Sequence, residues 1–144
     1  MASFPKIKPY NYSLQALNMR SKFPQFKAVR KKNGYDFIGI LKPRDTEYQV
    51  HINYGEFAHP KVFVLSPELK SRKHMYQDGS LCIYKRSELK WRKDLLVSKY
   101  IVPLTAMWLY YYEIFILTDE WLGPEAPHND EPSDIKIDDN PTLP

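Results

Sequence analysis

Residues 26–65 read FKAVRKKNGYDFIGILKPRDTEYQVHINYGEFAHPKVFVL, four strand-like runs punctuated by turn signals. Phe26 to Arg30 is the first run. Asn33-Gly34 follows, a dipeptide that favours a two-residue hairpin because both residues tolerate positive φ. Tyr35 to Leu41 is the second run, closed by Pro43-Arg44-Asp45. From Glu47 to Tyr54 the chain alternates. Tyr48, Val50 and Ile52 fall on one face, and Gln49, His51 and Asn53 on the other, the pattern of a half-buried strand. His59-Pro60 interrupts the chain, and Lys61 to Leu65 makes a fourth strand. Short turns join consecutive strands, so the expected sheet is an antiparallel meander.

On the N-terminal side, Ser13 is a candidate cap for a short helix from Leu14 to about Lys22. Leu14 and Leu17, three apart, are expected to share one face, and Pro24 ends it. Residues 1–10 are expected to form an irregular arm. On the C-terminal side, Ile101 to Leu117 reads as one long helix with Pro103 in its first turn. Leu104, Trp108, Tyr111, Tyr112 and Phe115 follow helical spacing, and apolar residues cover most of the circumference. This helix is expected to lie buried across the sheet. Asp119 to His128 forms a closing turn. Residues 129–144 are acidic and Pro-rich and are expected to be disordered. The resulting expectation is an α+β domain over residues 1–128 with a tail at 129–144, and no internal repeat.

A chain of 144 residues suits one domain with a real core, needing neither disulfides nor metal to fold. One cysteine excludes an internal disulfide and fits a reducing, cytoplasmic setting. The N-terminus carries no secretory h-region. No uninterrupted apolar stretch of about 18 residues appears, so no membrane span is expected. Tyr110 to Leu117 is the most apolar part, and Glu113 interrupts it. The net charge of +4 is unevenly spread. Residues 1–44 hold 10 Lys/Arg and one acid, Asp36 (net +9), while residues 119–144 hold 8 Asp/Glu and one Lys, Lys136 (net −7). Such asymmetry is either a binding device or a solvated surface with a soluble tail. Nucleic acid is not the expected partner, because Arg30-Lys31-Lys32 sits in a hairpin turn that is charged for solubility in any case.

From Ser66 to Tyr100 regular periodicity fades. A connection this long in a compact domain is either disordered or functional. It contains His74, Gly79, Cys82, Tyr84 and Trp91. A lone cysteine between Leu81 and Ile83 is commonly a buried, inert core residue. Here Gly79 permits a tight backbone just before it, and His74 lies near enough to fold back. Arg72, Lys73, Lys85 and Arg86 make the neighbourhood electropositive, which favours thiolate over thiol. An exposed thiolate on a loop is a nucleophile or an acyl carrier.

The run His74-Met75-Tyr76-Gln77-Asp78-Gly79-Ser80-Leu81-Cys82-Ile83 resembles the active-site signature of E2, ubiquitin-conjugating enzymes. In that family His-Pro-Asn precedes a Gly, a hydrophobic residue, the thioester-forming Cys and another hydrophobic residue. Trp91 resembles the tryptophan that follows, and Tyr54 to Phe63 with Pro60 resembles the family's Tyr-Pro…Pro stretch. The order of helix, four-stranded meander, cysteine loop and long helix is also the E2 order, over roughly residues 12–128. Met75 and Tyr76 stand in place of Pro and Asn, and one long helix replaces the usual C-terminal pair. With Trp121-Leu122-Gly123-Pro124-Glu125-Ala126-Pro127-His128, these departures resemble the compact bacterial E2-like proteins of CBASS-type antiviral operons. The resemblance implies that Cys82 forms a thioester with the C-terminus of a cGAS-like nucleotidyltransferase. No Gly-rich nucleotide loop is present, so activation of that carboxyl falls to a separate E1-like enzyme or to a pre-activated donor. Two alternatives stay open: a cysteine hydrolase cleaving such linkages, and a non-catalytic interaction scaffold of E2 fold.

The remaining candidates each have two readings. His74 either tunes or deprotonates Cys82 or braces the loop, the latter being what the resemblance implies. Asp78 orients an incoming amine or is a turn residue. His128 folds back over the site or lies on the surface. Tyr84 lines an acyl channel or is a strand-end aromatic. Trp91, Trp108 and Trp121 are expected to pack. His51, His59, His74 and His128 with one cysteine show no ligand spacing, so neither metal nor cofactor is expected. The chain also lacks a Gly-x-Ser-x-Gly elbow.

Overall fold

The structure is a computed structural model and describes residues 12–124. The N-terminal arm, His128 and the tail at 129–144 lie outside the described residues. The order is α1 (Tyr12–Lys22), β1 (Lys27–Lys31), β2 (Gly34–Leu41), β3 (Tyr48–Tyr54), β4 (Lys61–Ser66) and α2 (Val97–Thr118). The four strands pair in sequence order, β1-β2-β3-β4, all antiparallel. This is the expected meander, and the α+β element order is the one the E2 resemblance implies.

The alternation read in β3 is the face that makes the core. Tyr48, Val50, Ile52 and Tyr54 are buried, with Tyr35, Phe37 and Leu41 beside them on β2. Each such side chain withdrawn from water contributes roughly 1.5–3 kcal/mol before entropy is counted. The opposite face is mixed, with Val29, Ile38, Ile40 and Phe63 in register among polar residues, and there Asp36 binds His51 at 2.7 Å and Lys31 at 3.1 Å. The first hairpin turns one residue earlier than expected. Lys31 pairs with Gly34, so Lys32-Asn33 form the turn and Gly34 opens β2. Its glycine serves close approach, because a Cβ there would sit 1.8 Å from the Tyr54 carbonyl oxygen.

One expectation about α1 needs correction, since Ser13 lies inside its first turn rather than capping it. The buried face is Gln15 and Met19, not the one that Leu14 and Leu17 share. Residues four apart share a face, and Leu17 is 62% exposed on the other side. The start of α2 is also corrected, from Ile101 to Val97, which moves Pro103 out of the first turn. Leu96 precedes the helix without a side-chain cap. The cap comes from α1: the Gln15 amide oxygen accepts from the Val97 N–H at 3.1 Å, and its amide N–H donates to the Leu95 carbonyl at 2.7 Å. A buried glutamine thereby satisfies one of the N–H donors that a helix N-terminus leaves orphaned, and a carbonyl just before it.

The inner face of α2 packs Ile101, Val102, Trp108, Leu109 and Tyr112 on the sheet core. Its outer face is less buried than expected, with Met107 50%, Tyr110 45% and Leu117 71% exposed. By length and composition alone α2 is apolar enough to cross a membrane. Its packing on the sheet is that of a core helix. Asp119 ends it in a left-handed conformation (φ 63°), its N–H donating to the Phe115 carbonyl at 2.8 Å.

Candidate active site

Between β4 and α2 the chain makes no helix or strand, only one isolated bridge, Met75 opposite Leu81. That bridge closes a small hairpin from His74 to Cys82. The Cys82 N–H donates to the His74 carbonyl at 2.9 Å, the Tyr76 N–H to Ser80 at 2.8 Å, and the Gly79 N–H to Tyr76 at 3.0 Å. Two left-handed residues allow the reversal, His74 at φ 57° and Gly79 at φ 90°. Space around Gly79 is open, so its backbone angle alone demands glycine. At His74 a side chain bears the same strain, a cost found where surroundings over-determine the conformation.

Polar and aromatic anchors hold this hairpin to the core. The Leu81 N–H donates to the Val62 carbonyl of β4 at 2.8 Å. Lys61, only 5% exposed and stacked over the Phe57 ring at 3.8 Å, binds the Asp78 carboxylate at 2.8 Å. The other Asp78 oxygen accepts from the Ser80 N–H at 2.9 Å and the Ser80 hydroxyl at 2.6 Å. Trp108 donates from Nε1 to the His74 carbonyl at 3.1 Å, and the buried His74 ring packs on Trp121 with centroids 4.3 Å apart. The Arg72 guanidinium donates to the carbonyls of Tyr76 and Gln77 at 3.2 and 3.1 Å.

Cys82 emerges from this frame partly exposed, not sealed in the core. Its Sγ lies 3.5 Å from the Tyr76 hydroxyl and 4.0 Å from the Tyr84 carbonyl oxygen. It opens into a groove of about 160 Å³ between the loop and α2, walled by Tyr84, Lys85, Leu104, Met107, Trp108, Tyr111 and Trp121. Arg86 stacks on the Tyr76 ring at 4.6 Å. Burial, and then the hydrogen bond and charge of Cys82, hold the Tyr76 phenol well above its ordinary pKa. Burial does the same for Tyr84. His59 shares a 2.7 Å hydrogen bond with the Tyr84 hydroxyl, and burial aided by Arg86 pushes its pKa down to about 4. At neutral pH the surroundings of Cys82 therefore hold two protonated phenols, a neutral imidazole and a guanidinium.

Cys82, His74, Asp78 and Tyr84 lie on one loop, where the Asp78 carboxylate turns to Lys61 and Ser80 and Tyr84 walls the groove. His128 lies outside the described residues. Trp108 and Trp121 pack as expected and also wall the groove, whereas Trp91 packs edge-on against Tyr54 at 6.4 Å. The electropositive cluster divides: Lys85 and Arg86 serve the cysteine side, while Arg72 closes the hairpin and Lys73 sits 5.7 Å from the Phe115 ring centroid. Sequence reasoning missed Tyr76 and His59. Tyr76 drew notice only as a residue out of place in the signature, and His59 only as one of four scattered histidines. The signal that finds His59 is its position beside Pro60, where the chain enters β4 next to the loop. Among the described residues, no group of three or more His, Cys, Asp or Glu comes together to hold a metal ion.

No curated protein matches the chain. A family model does: residues 15–129, which run from within α1 through the sheet, the cysteine loop and α2, match the model E2-CBASS, described as the Type II CBASS E2 protein, and the chain belongs to that family.

Proposed function

We propose that Cys82 takes up the C-terminal carboxyl of a protein as a thioester and passes it to an acceptor, the donor being the cGAS-like nucleotidyltransferase of the same defence system. Family membership makes the chain an E2-like cysteine enzyme of CBASS. The finer reading is supported by one observation: the partly exposed Cys82 thiol sits at the wall of a mainly apolar groove. A free carboxylate does not form a thioester unaided, so an activating enzyme or a pre-activated acyl donor acts first. Within this reading Cys82 is the nucleophile. His74 braces the loop through its carbonyl and its stacking on Trp121, and Asp78 is a turn residue that ties the hairpin to Lys61. The reaction belongs to the cytoplasm, where the one thiol stays reduced.

The test is reconstitution. Purified protein, the nucleotidyltransferase, an E1-like activating enzyme and ATP are mixed and resolved on a non-reducing gel. The expected product is an adduct mapped by mass spectrometry to Cys82 and released by added thiol. Cys82→Ser is expected to give no thiol-labile adduct. A wild-type protein that never charges, or a Cys82→Ser variant that retains full antiviral activity in cells, defeats the proposal.

A further inference from the structure

We propose that Tyr76 is a catalytic residue, its phenolic hydroxyl donating to the Cys82 sulfur when that sulfur is a thiolate. The groups are 3.5 Å apart, and one short hairpin holds both. The Tyr76 backbone is bonded to Ser80, Gly79 and Arg72, and the Cys82 N–H to His74. Arg86 covers the Tyr76 ring, leaving its hydroxyl on the sulfur. In the thiol form Sγ–H donates to the phenol oxygen, and on ionisation the roles reverse. The phenol can play this part because its surroundings keep it protonated. A donor held beside the reacting atom before reaction costs no reorganisation when charge appears there.

The acyl-transfer half rests on the proposed function. Thiolate sulfur attacks the carbonyl carbon of an acyl adenylate or acyl thioester. The C–S bond forms, and AMP or the donor thiolate departs with the electron pair. Later an amine nitrogen attacks the Cys82 thioester carbon. The C–N bond forms, the C–S bond breaks, the sulfur leaves as thiolate, and the amine proton passes to solvent. Tyr76 gives up no proton in either step. It steadies the sulfur's negative charge before attack and after departure.

Two measurements on Tyr76→Phe test this. The variant keeps the ring and its stacking on Arg86, and thermal unfolding verifies the fold. The first is the pH profile of Cys82 alkylation by iodoacetamide, which needs no protein partner. Its midpoint is expected to rise by roughly one pH unit, the size expected for losing one hydrogen bond to a charged group. The second is discharge of the Cys82 thioester by hydroxylamine, expected to slow by about tenfold at fixed pH. Coincident or lowered midpoints in a folded variant overturn the hydrogen bond. A raised midpoint with unchanged discharge overturns the catalytic role. Failure of the wild type to charge at all sinks the acyl-carrier reading instead, and the alkylation profile still decides whether Tyr76 serves the sulfur.

Discussion

The sheet and the cysteine loop meet at β4, yet they are held by different means. Each strand pairs with its neighbour in the chain, and the antiparallel ladder runs from Lys27 to Ser66 with one register shift, between Gln49 and Val50. The loop has one bridge of its own and depends on single contacts with partners remote in sequence. Asp78 reaches Lys61, the Lys70 N–H reaches the Tyr112 hydroxyl at 2.8 Å, and His74 meets Trp108. A sheet backed by one core fails cooperatively. A loop held by separate contacts can lose one of them while the domain stays folded. The reactive cysteine thus rests on the part of the molecule whose order can be altered piecemeal.

Substitutions that separate the two regions test this contrast, and the largest effect belongs to the sheet. Phe37 is fully buried on β2, and Phe37→Ala is expected to cost about 3–5 kcal/mol, the usual range for emptying a core aromatic site. Denaturant unfolding should show the loop lost no later than the sheet. A loop that keeps its order after the sheet has unfolded would break the view that it borrows that order from the core. Next is Asp78→Ala, which leaves the Lys61 ammonium nearly buried without its carboxylate. A loss of about 2 kcal/mol is expected, short of a fully buried pair because Asp78 is itself 31% exposed. Adding Lys61→Met should recover most of it. Hydrogen exchange should rise at the amides of Tyr76, Gly79 and Cys82 and stay unchanged across β2 and β3. Equal loosening of both regions would contradict the contrast.

The smallest effect is a pH dependence. His59 is held neutral in the folded protein with a pKa near 4, while an unfolded histidine titrates at 6.5. Between these values the unfolded chain binds the extra proton, so His59 stabilises the fold above pH 6.5 and that contribution fades as pH falls toward 4. Because this side chain is only half-buried, the loss is about 1 kcal/mol after solvent screening. Comparing wild type with His59→Gln at pH 7 and pH 4.5 isolates it from the carboxylates. Parallel stability curves for the two would show that His59 carries none of the slope.

The strands were legible because their information is local. Tyr48, Val50, Ile52 and Tyr54 alternate with polar residues, and a period of two has one way to bury itself. Cys82 was legible for a different reason: one cysteine within a Gly-flanked signature narrows the choice to one residue. The start of α2 was not legible, since nothing near Leu96 caps it. Nor was the inner face of α1, where a polar Gln15 is buried and Leu17 is exposed. The two have one cause, because Gln15 is buried in order to cap a helix that begins at Val97.

By itself the sequence determined the meander, the long apolar helix and the identity of the reactive residue, all properties of neighbours along the chain. Tertiary structure alone decided what surrounds that residue. His59 meets Tyr84 25 residues away, and Trp108 reaches back 34 residues to the His74 carbonyl. Even Tyr76, six residues from Cys82, points its hydroxyl at the sulfur only because the hairpin reverses at Gly79 and is pinned to β4. A hydrogen bond depends on distances of a few tenths of an ångström, and those are set by the packed whole rather than by spacing in the chain.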